Sequence, residues 1–168
     1  MTPRQIQDLA HEIRKIRTEK GFYTPDSCDG FDSNLMLGKL MLVVTEISEV
    51  SEQEDELLKS EEIADIIIRC LDILSTIGTD IKYWYPYAET STGSWNGVPL
   101  IALVNLASKA AEAARHGRFE KDYLLEMVVL CCQLNAQLKN GTDIWNVVKW
   151  KVEKNKSRPA KHGKVSIL

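Results

Sequence analysis

Two apolar stretches bordered by acidic residues decide the fold: KLMLVVTEISEVSE, residues 39–52, and EEIADIIIRCLDIL, residues 61–74. On a helical wheel at about 100° per residue, each stretch gathers its aliphatic side chains on one arc. Four acidic side chains lie on the shoulders of these arcs, two on each helix: Glu46, Glu49, Glu62 and Asp65. If the two helices pack as an antiparallel hairpin, both acidic pairs can converge on a single groove.

The rest of the chain also has helical patterns and helix-boundary residues. We predict a first helix over 3–20 and further helices over 34–52, 60–77, 99–116, 120–139 and from Thr142 or Asp143 to about Lys156. Ser60 lies in the predicted cap region of the third helix, and glycines follow several predicted helix ends. No alternating strand pattern lasts more than a few residues. We therefore predict an all-α helical bundle forming a single domain over residues 1–168.

An internal repeat divides this domain. The tetrapeptide GTDI occurs at 78–81 and again at 141–144, an offset of 63. We interpret residues 33–81 as a metal-binding helical hairpin, 96–144 as its degenerate second copy and 145–168 as a basic C-terminal helix and tail. At the same offset the four acidic positions become Lys109, Glu112, Leu125 and Val128. The second copy therefore lacks a ligand set, and we expect it to act as scaffold.

Composition and charge limit the class of protein. The chain has 168 residues, of which 44% are hydrophobic and 27% charged, as is typical of soluble globular domains. It has no apolar run of about 20 residues and no apolar signal core near the N-terminus, and its four cysteines lack metal or disulfide spacing. We expect a cytoplasmic protein with no membrane partner.

Charge is distributed unevenly along the chain. Nine acids and one base lie between residues 46 and 65, whereas seven bases and one acid lie between 149 and 164. This distribution fits a polyanionic ligand carried by a divalent cation, and it equally fits two solvated faces. Four carboxylates in one groove would repel one another without a cation, and hard oxygen ligands suit Mg²⁺ or Mn²⁺.

The two acidic motifs, Glu46-Ile-Ser-Glu49 and Glu62-Ile-Ala-Asp65, resemble the metal signature of the MazG-like all-α nucleoside triphosphate pyrophosphohydrolases. The tail KVEKNKSRPAKHGK is similar to the ends of family members. The resemblance implies a Mg²⁺-dependent hydrolase that cleaves a (d)NTP into (d)NMP and pyrophosphate, with the four acids as metal ligands. It also implies a homodimer.

The resemblance further implies roles for individual residues. Either Glu49 or Glu61 would accept the proton of the attacking water, and the two are not distinguished by sequence. Substrate phosphates would be held by Asn155 and Arg158. Four lysines would help them: Lys39, Lys151, Lys154 and Lys161. Aromatic residues between Tyr83 and Trp95 are candidates for a nucleobase slot or for packing of that loop.

Other functions fit less well. A di-iron carboxylate bundle needs ExxH motifs, which the chain lacks. A nucleic-acid binder would suffer repulsion between the acidic half and phosphate. The serious alternative is a catalytically inactive helical protein that acts in interaction or regulation. The sequence does not identify the nucleotide.

Overall fold

The computed structural model describes residues 1–22, 32–81, 99–139 and 141–159. Within these ranges the chain forms helices and no strand, which confirms the prediction of an all-α bundle. The helices are α1 (Pro3–Glu19), α2 (Ser33–Glu52), α3 (Glu56–Thr76), α4 (Pro99–Arg115), α5 (Lys121–Ala136) and α6 (Ile144–Ser157). None of these helices is long and apolar enough to cross a membrane.

Two helical hairpins pack against each other to form the centre of the bundle. Helices α2 and α3 form the first hairpin and α4 and α5 the second, with α2 packed on α4 and α3 on α5. Helices α1 and α6 both pack on α3. Leu125 and Val128, which replace Glu62 and Asp65 at the offset of 63, are buried as expected for a scaffold half.

Helix α3 lies between four other helices, and its sequence has the matching composition. From Ile63 to Leu74 every residue is buried except Asp65 and Arg69, which are partly exposed. Such nearly complete burial requires apolar residues around most of the helix circumference. The two polar exceptions therefore mark the one side of α3 that opens toward solvent.

Local sequence explains most helix boundaries. Thr2 and Gln5 form a capping box at the start of α1, and Gly21 follows its end with a φ of 73°. Asp143, one of the two predicted caps, accepts a hydrogen bond from the N–H of Trp145 at the start of α6. Helix α5 ends at Ala136, three residues before the predicted end at Lys139.

The predicted start of the third helix is wrong. Asp55, rather than Ser60, is the N-cap, and its Oδ1 accepts hydrogen bonds from the N–H groups of Leu57 and Leu58 at 2.8 and 3.0 Å. Ser60 is buried inside the helix, where its hydroxyl donates to the carbonyl of Glu56 at 3.2 Å. A carboxylate at the cap satisfies two free amides at the positive end of the helix, so α3 begins one turn earlier.

Candidate functional site

Three of the four predicted acidic ligands meet at the interface of α2 and α3. Glu46 and Glu49 lie one turn apart on α2, and Glu62 reaches them from α3. Each contributes a carboxylate oxygen, and these oxygens all lie within 4.8 Å of one another. We call these three residues the acidic cluster. The antiparallel hairpin thus brings together side chains from both sequence motifs.

Glu46 is the buried member of the cluster, and it has a cationic partner. Its side chain is 9% exposed, and its Oε1 accepts hydrogen bonds from Nε and Nη2 of Arg69 at 3.1 and 2.9 Å. Burial raises the pKa of Glu46, the charge of Arg69 lowers it, and the nearby Asp65 and Glu49 raise it further. The bridge from α3 therefore stabilises a carboxylate that its surroundings would otherwise neutralise.

The fourth predicted ligand, Asp65, is oriented toward α6. Its Oδ2 is in close contact with the ammonium of Lys151, which also lies 3.7 Å from Oε2 of Glu61. Burial raises the pKa of Glu62, and Lys151 opposes that rise. The structure therefore places Asp65 and Glu61 beside a shared lysine, next to the acidic cluster but outside its three-oxygen group.

A cavity of about 410 Å³ opens beside Asp65 and Arg69, with walls from α1, α3 and α6. We call it the cationic cavity, because six of its lining residues are basic: Arg17, Lys20, Arg69, Lys151, Lys154 and Arg158. Asp65 is the only acidic residue among its described lining residues. Apolar side chains, including Ile13, Ile68 and Val152, complete the walls. A cavity with this lining can accept an anion that carries an apolar or aromatic group.

Three of the predicted substrate-binding residues line this cavity. Lys154, Asn155 and Arg158 lie at the C-terminal end of α6, and Lys154 also packs over the ring of Trp150 at 4.5 Å.

Lys39, another predicted substrate-binding residue, lies elsewhere. It is buried, and its Nζ is 2.9 Å from Oδ2 of Asp72 and 3.2 Å from Oγ1 of Thr76. Lys161 and the aromatic stretch from Tyr83 to Trp95 lie outside the described residues.

The contribution of α1 to the cavity was not predicted. Arg17, Lys20 and Phe22 line it, although nothing in the basic tail or the acidic motifs points to them. A signal was present in the spacing: Arg17 and Lys20 continue the i, i+3, i+4 face that begins with Ile13 and Ile16. Cationic side chains in line with a buried stripe lie at the edge of a helix contact, where they can reach a neighbouring cavity.

The second hairpin has no comparable group among its described residues. Glu112, at the position corresponding to Glu49, is exposed and contacts Arg115 of its own helix and His116 directly after it. Lys109, at the position corresponding to Glu46, lies 6.0 Å from the ring centre of Tyr123. These contacts within the hairpin agree with the scaffold role expected for it.

No protein-family model, curated protein or solved structure matches this chain. The acidic cluster and the cationic cavity are therefore the features of the molecule that bear on its function.

Proposed function

We propose that the protein is a Mg²⁺-dependent nucleoside triphosphate pyrophosphohydrolase that converts a (d)NTP into a (d)NMP and pyrophosphate. One observation carries the proposal: Arg69, which donates to Glu46 of the three-carboxylate cluster, lines a cavity with six cationic side chains. A metal-bound polyphosphate has this pair of requirements, since its cation needs oxygen ligands and its remaining charge needs basic donors.

The donor set of the acidic cluster fits a small hard cation. All three donors are carboxylates, and their oxygens lie within 4.8 Å of one another. Octahedral Mg²⁺ places neighbouring ligand oxygens roughly 2.9 Å apart and opposite ones roughly 4.2 Å apart, so the three side chains would draw closer together around a bound cation. Mn²⁺ prefers the same ligands and is a useful probe. Asp65 would join as a fourth ligand if Lys151 turned from it toward phosphate.

The residues of the site divide between binding and proton transfer. The bound cation would neutralise phosphate charge and lower the pKa of water. Lys154, Asn155 and Arg158 would hold phosphate oxygens from α6. Glu61 would accept the proton of the attacking water, because the carboxylate of Glu49 belongs to the cluster whereas Glu61 stands outside it. The water oxygen would form a bond to the α-phosphorus. The bond from that phosphorus to the oxygen that bridges it to the β-phosphorus would break, and the bridging oxygen would leave with pyrophosphate.

A panel of nucleotides tests the activity directly. Each canonical (d)NTP is incubated with the protein and Mg²⁺, and the products are identified by ³¹P NMR. We expect at least one to yield monophosphate and pyrophosphate. Glu46→Gln should abolish this hydrolysis, whereas Glu112→Gln, an exposed acid of the second hairpin, serves as the matched control and should retain it. Release of orthophosphate alone, or equal activity in both variants, would refute the proposal.

The alternative of an inactive helical protein has one observation in its favour. Arg69 and Lys151 already neutralise two of the acids within the chain, Glu46 and Asp65. A bundle that never binds metal would be stable with these ion pairs in place. It would show no Mn²⁺ binding and no hydrolysis of any nucleotide, so the same panel decides between the two functions.

A further inference from the structure

A buried carboxylate outside the acidic cluster joins three helices. Asp72 on α3 is 2% exposed, and its Oδ2 lies 2.9 Å from Nζ of Lys39 on α2. The same oxygen lies 3.1 Å from Nε of Arg17 on α1. One acidic group therefore contacts a cation from each of two neighbouring helices.

Arg17 lines the cationic cavity, and its guanidinium is held at the Nε edge. Its Nε faces Asp72, and its Cζ lies 4.8 Å from the ring centre of Phe22. The Nε atom is buried, and its contact with Asp72 is an ion pair without a well-aligned hydrogen bond. No acceptor for the terminal Nη atoms is found among the described residues. The fork of this guanidinium is therefore available to a ligand in the cavity.

Stability does not explain the second cation. Lys39 alone would balance the charge of Asp72, and Arg17, whose side chain is 18% exposed, adds a second cation at some cost in desolvation energy. Burial lowers the pKa of Lys39 to about 8 in spite of Asp72, and the charges of Arg17 and Arg14 lower it further. Among the described residues, Asp72 therefore forms ion pairs with two cations, one of which lines the cavity, and this excess of positive charge favours an anion there.

We propose that Arg17 is a phosphate-binding residue of the cationic cavity and that Asp72 is the residue that positions it. The ligand class is the polyphosphate chain of a nucleotide, and in naming a nucleotide this inference rests on the proposed function. A guanidinium fork fits two phosphate oxygens at once, and a fixed orientation lowers the entropy lost on binding. Phe22 and Asp72 fix that orientation from two sides.

Binding of inorganic triphosphate without any divalent cation tests Arg17. Isothermal titration calorimetry in EDTA would compare the wild-type chain with Arg17→Met, Arg17→Lys and the matched control Lys15→Met, which removes an exposed charge from the same helix. We expect Arg17→Met to weaken binding about 10- to 100-fold, the scale of a lost charged hydrogen bond, and Arg17→Lys to recover little. Equal losses in Arg17→Met and Lys15→Met would overturn the proposal.

Asp72 needs a paired design, because Asp72→Asn alone leaves Lys39 buried without its acid. The double variant Lys39→Met/Asp72→Asn is therefore compared with Lys39→Met, after thermal melting confirms that both fold. We expect the double variant to bind triphosphate more weakly than Lys39→Met and, with nucleotide, to raise KM more than it lowers kcat. Equal affinities in the two would remove the positioning role.

These outcomes separate the inference from the proposed function. A chain that binds triphosphate through Arg17 but hydrolyses no nucleotide would refute the enzyme and leave the anion site. If the wild-type chain hydrolyses nucleotides and Arg17→Met binds triphosphate as tightly as the wild type, this inference is refuted and the proposed enzyme stands. If the double variant fails to fold, the Arg17 variants still decide the binding role.

Discussion

The ammonium group of Lys39 is buried beside Asp72 and Thr76, although the sequence analysis predicts that it contacts substrate. Its pKa is lowered to about 8 from an ordinary value of 10.5, mainly by burial. The unfolded chain therefore holds more protons than the folded chain between these two values. Since stability rises with pH wherever the unfolded state binds more protons, Lys39 should make the fold more stable as pH increases from about 8 to 10.5.

This dependence can be isolated by comparison with Lys39→Met. Urea unfolding between pH 7.5 and 10.5 would give the free energy of unfolding of both chains. We expect the difference, wild type minus variant, to increase with pH. Cys70, whose pKa burial raises to about 12, acts in the opposite direction above pH 9, but it is common to both chains and cancels. A difference that stays constant with pH would contradict the prediction.

Glu49 and Glu61 are distinguished by their neighbours. Glu49 shares the acidic cluster, whereas Glu61 has Lys151 at 3.7 Å. We expect Glu49→Gln to weaken Mn²⁺ binding, measured by electron paramagnetic resonance, by at least about 10-fold. Glu61→Gln should leave Mn²⁺ affinity within about 2-fold and lower kcat roughly 10²- to 10⁴-fold, as for loss of a general base. The reverse pattern would exchange the two roles.

At the residue scale, the sequence predicts which side chains meet where the spacing along one or two helices is enough to place them. Glu46, Glu49 and Glu62 were placed together because their spacing puts them on facing shoulders of a hairpin. The partners of Asp65 and Asp72 could not be predicted in this way. Asp65 meets Lys151 across 86 residues, and Asp72 meets Lys39 across 33, so both contacts depend on how helices cross rather than on local spacing.

At the scale of elements, α1 and α6 are joined at the edge of the cationic cavity. The ammonium of Lys20 contacts the main-chain carbonyls of Asn155 and Arg158. Lys156 forms a second link, 2.5 Å from Glu12. The last carbonyls of a helix have no partner within it, and a lysine placed there is favourable. These contacts hold the end of α6, from which three of the proposed phosphate contacts extend.

Removing this link should loosen α6 without unfolding the bundle. In Lys20→Met we expect faster amide hydrogen exchange in the last turn of α6 and a weaker affinity for triphosphate, by several-fold. Lys15→Met is again the control, because Lys15 pairs only loosely, at 3.9 Å, with Glu19 of its own helix. Unchanged exchange in the last turn would show that the link does not order this end.

The sequence predicts helix boundaries well where a cap residue and a glycine or proline mark the two ends, as for α1 and α6. The start of α3 was missed because Ser60 and Asp55 are both capping residues, and the choice between them depends on where the apolar face begins. Leu57 and Leu58 lie in the first turn of α3 but are exposed, so apolar residues do not mark where the buried face of this helix begins. The sequence does not predict that Lys20 and Arg17 line the cavity, because a cavity between helices produces no periodic pattern in the sequence.

At the scale of the whole molecule, the two hairpins differ in what they can bind. Leu125 and Val128 are buried where the first hairpin has acids. We therefore expect all tight Mn²⁺ binding to disappear in Glu46→Gln/Glu62→Gln and to remain in Glu112→Gln, as measured by titration of a protein of known concentration. Residual tight binding in the double variant would place a site outside the first hairpin.

We also propose that the chain forms a homodimer, as the resemblance of its acidic motifs implies. Large apolar side chains stay exposed on α2 and α4, including Met41 at 62% and Ile101 at 60%. Sedimentation velocity should give about twice the mass of 19.0 kDa, and Met41→Lys/Ile101→Lys should shift the chain toward monomer. A wild-type chain that sediments as a monomer at all concentrations would refute this proposal.

The joining of α1 to α6 has a consequence during synthesis. Lys20 and Asn155 are 135 positions apart, and a ribosome adding roughly 5–20 residues per second needs about 7–27 s to cover that distance. In this interval the nascent chain carries its acidic hairpin without the opposing basic helix. Under the proposed function, nucleotide capture would therefore begin only after α6 has been synthesised, and products of premature termination before α6 would not sequester nucleotides.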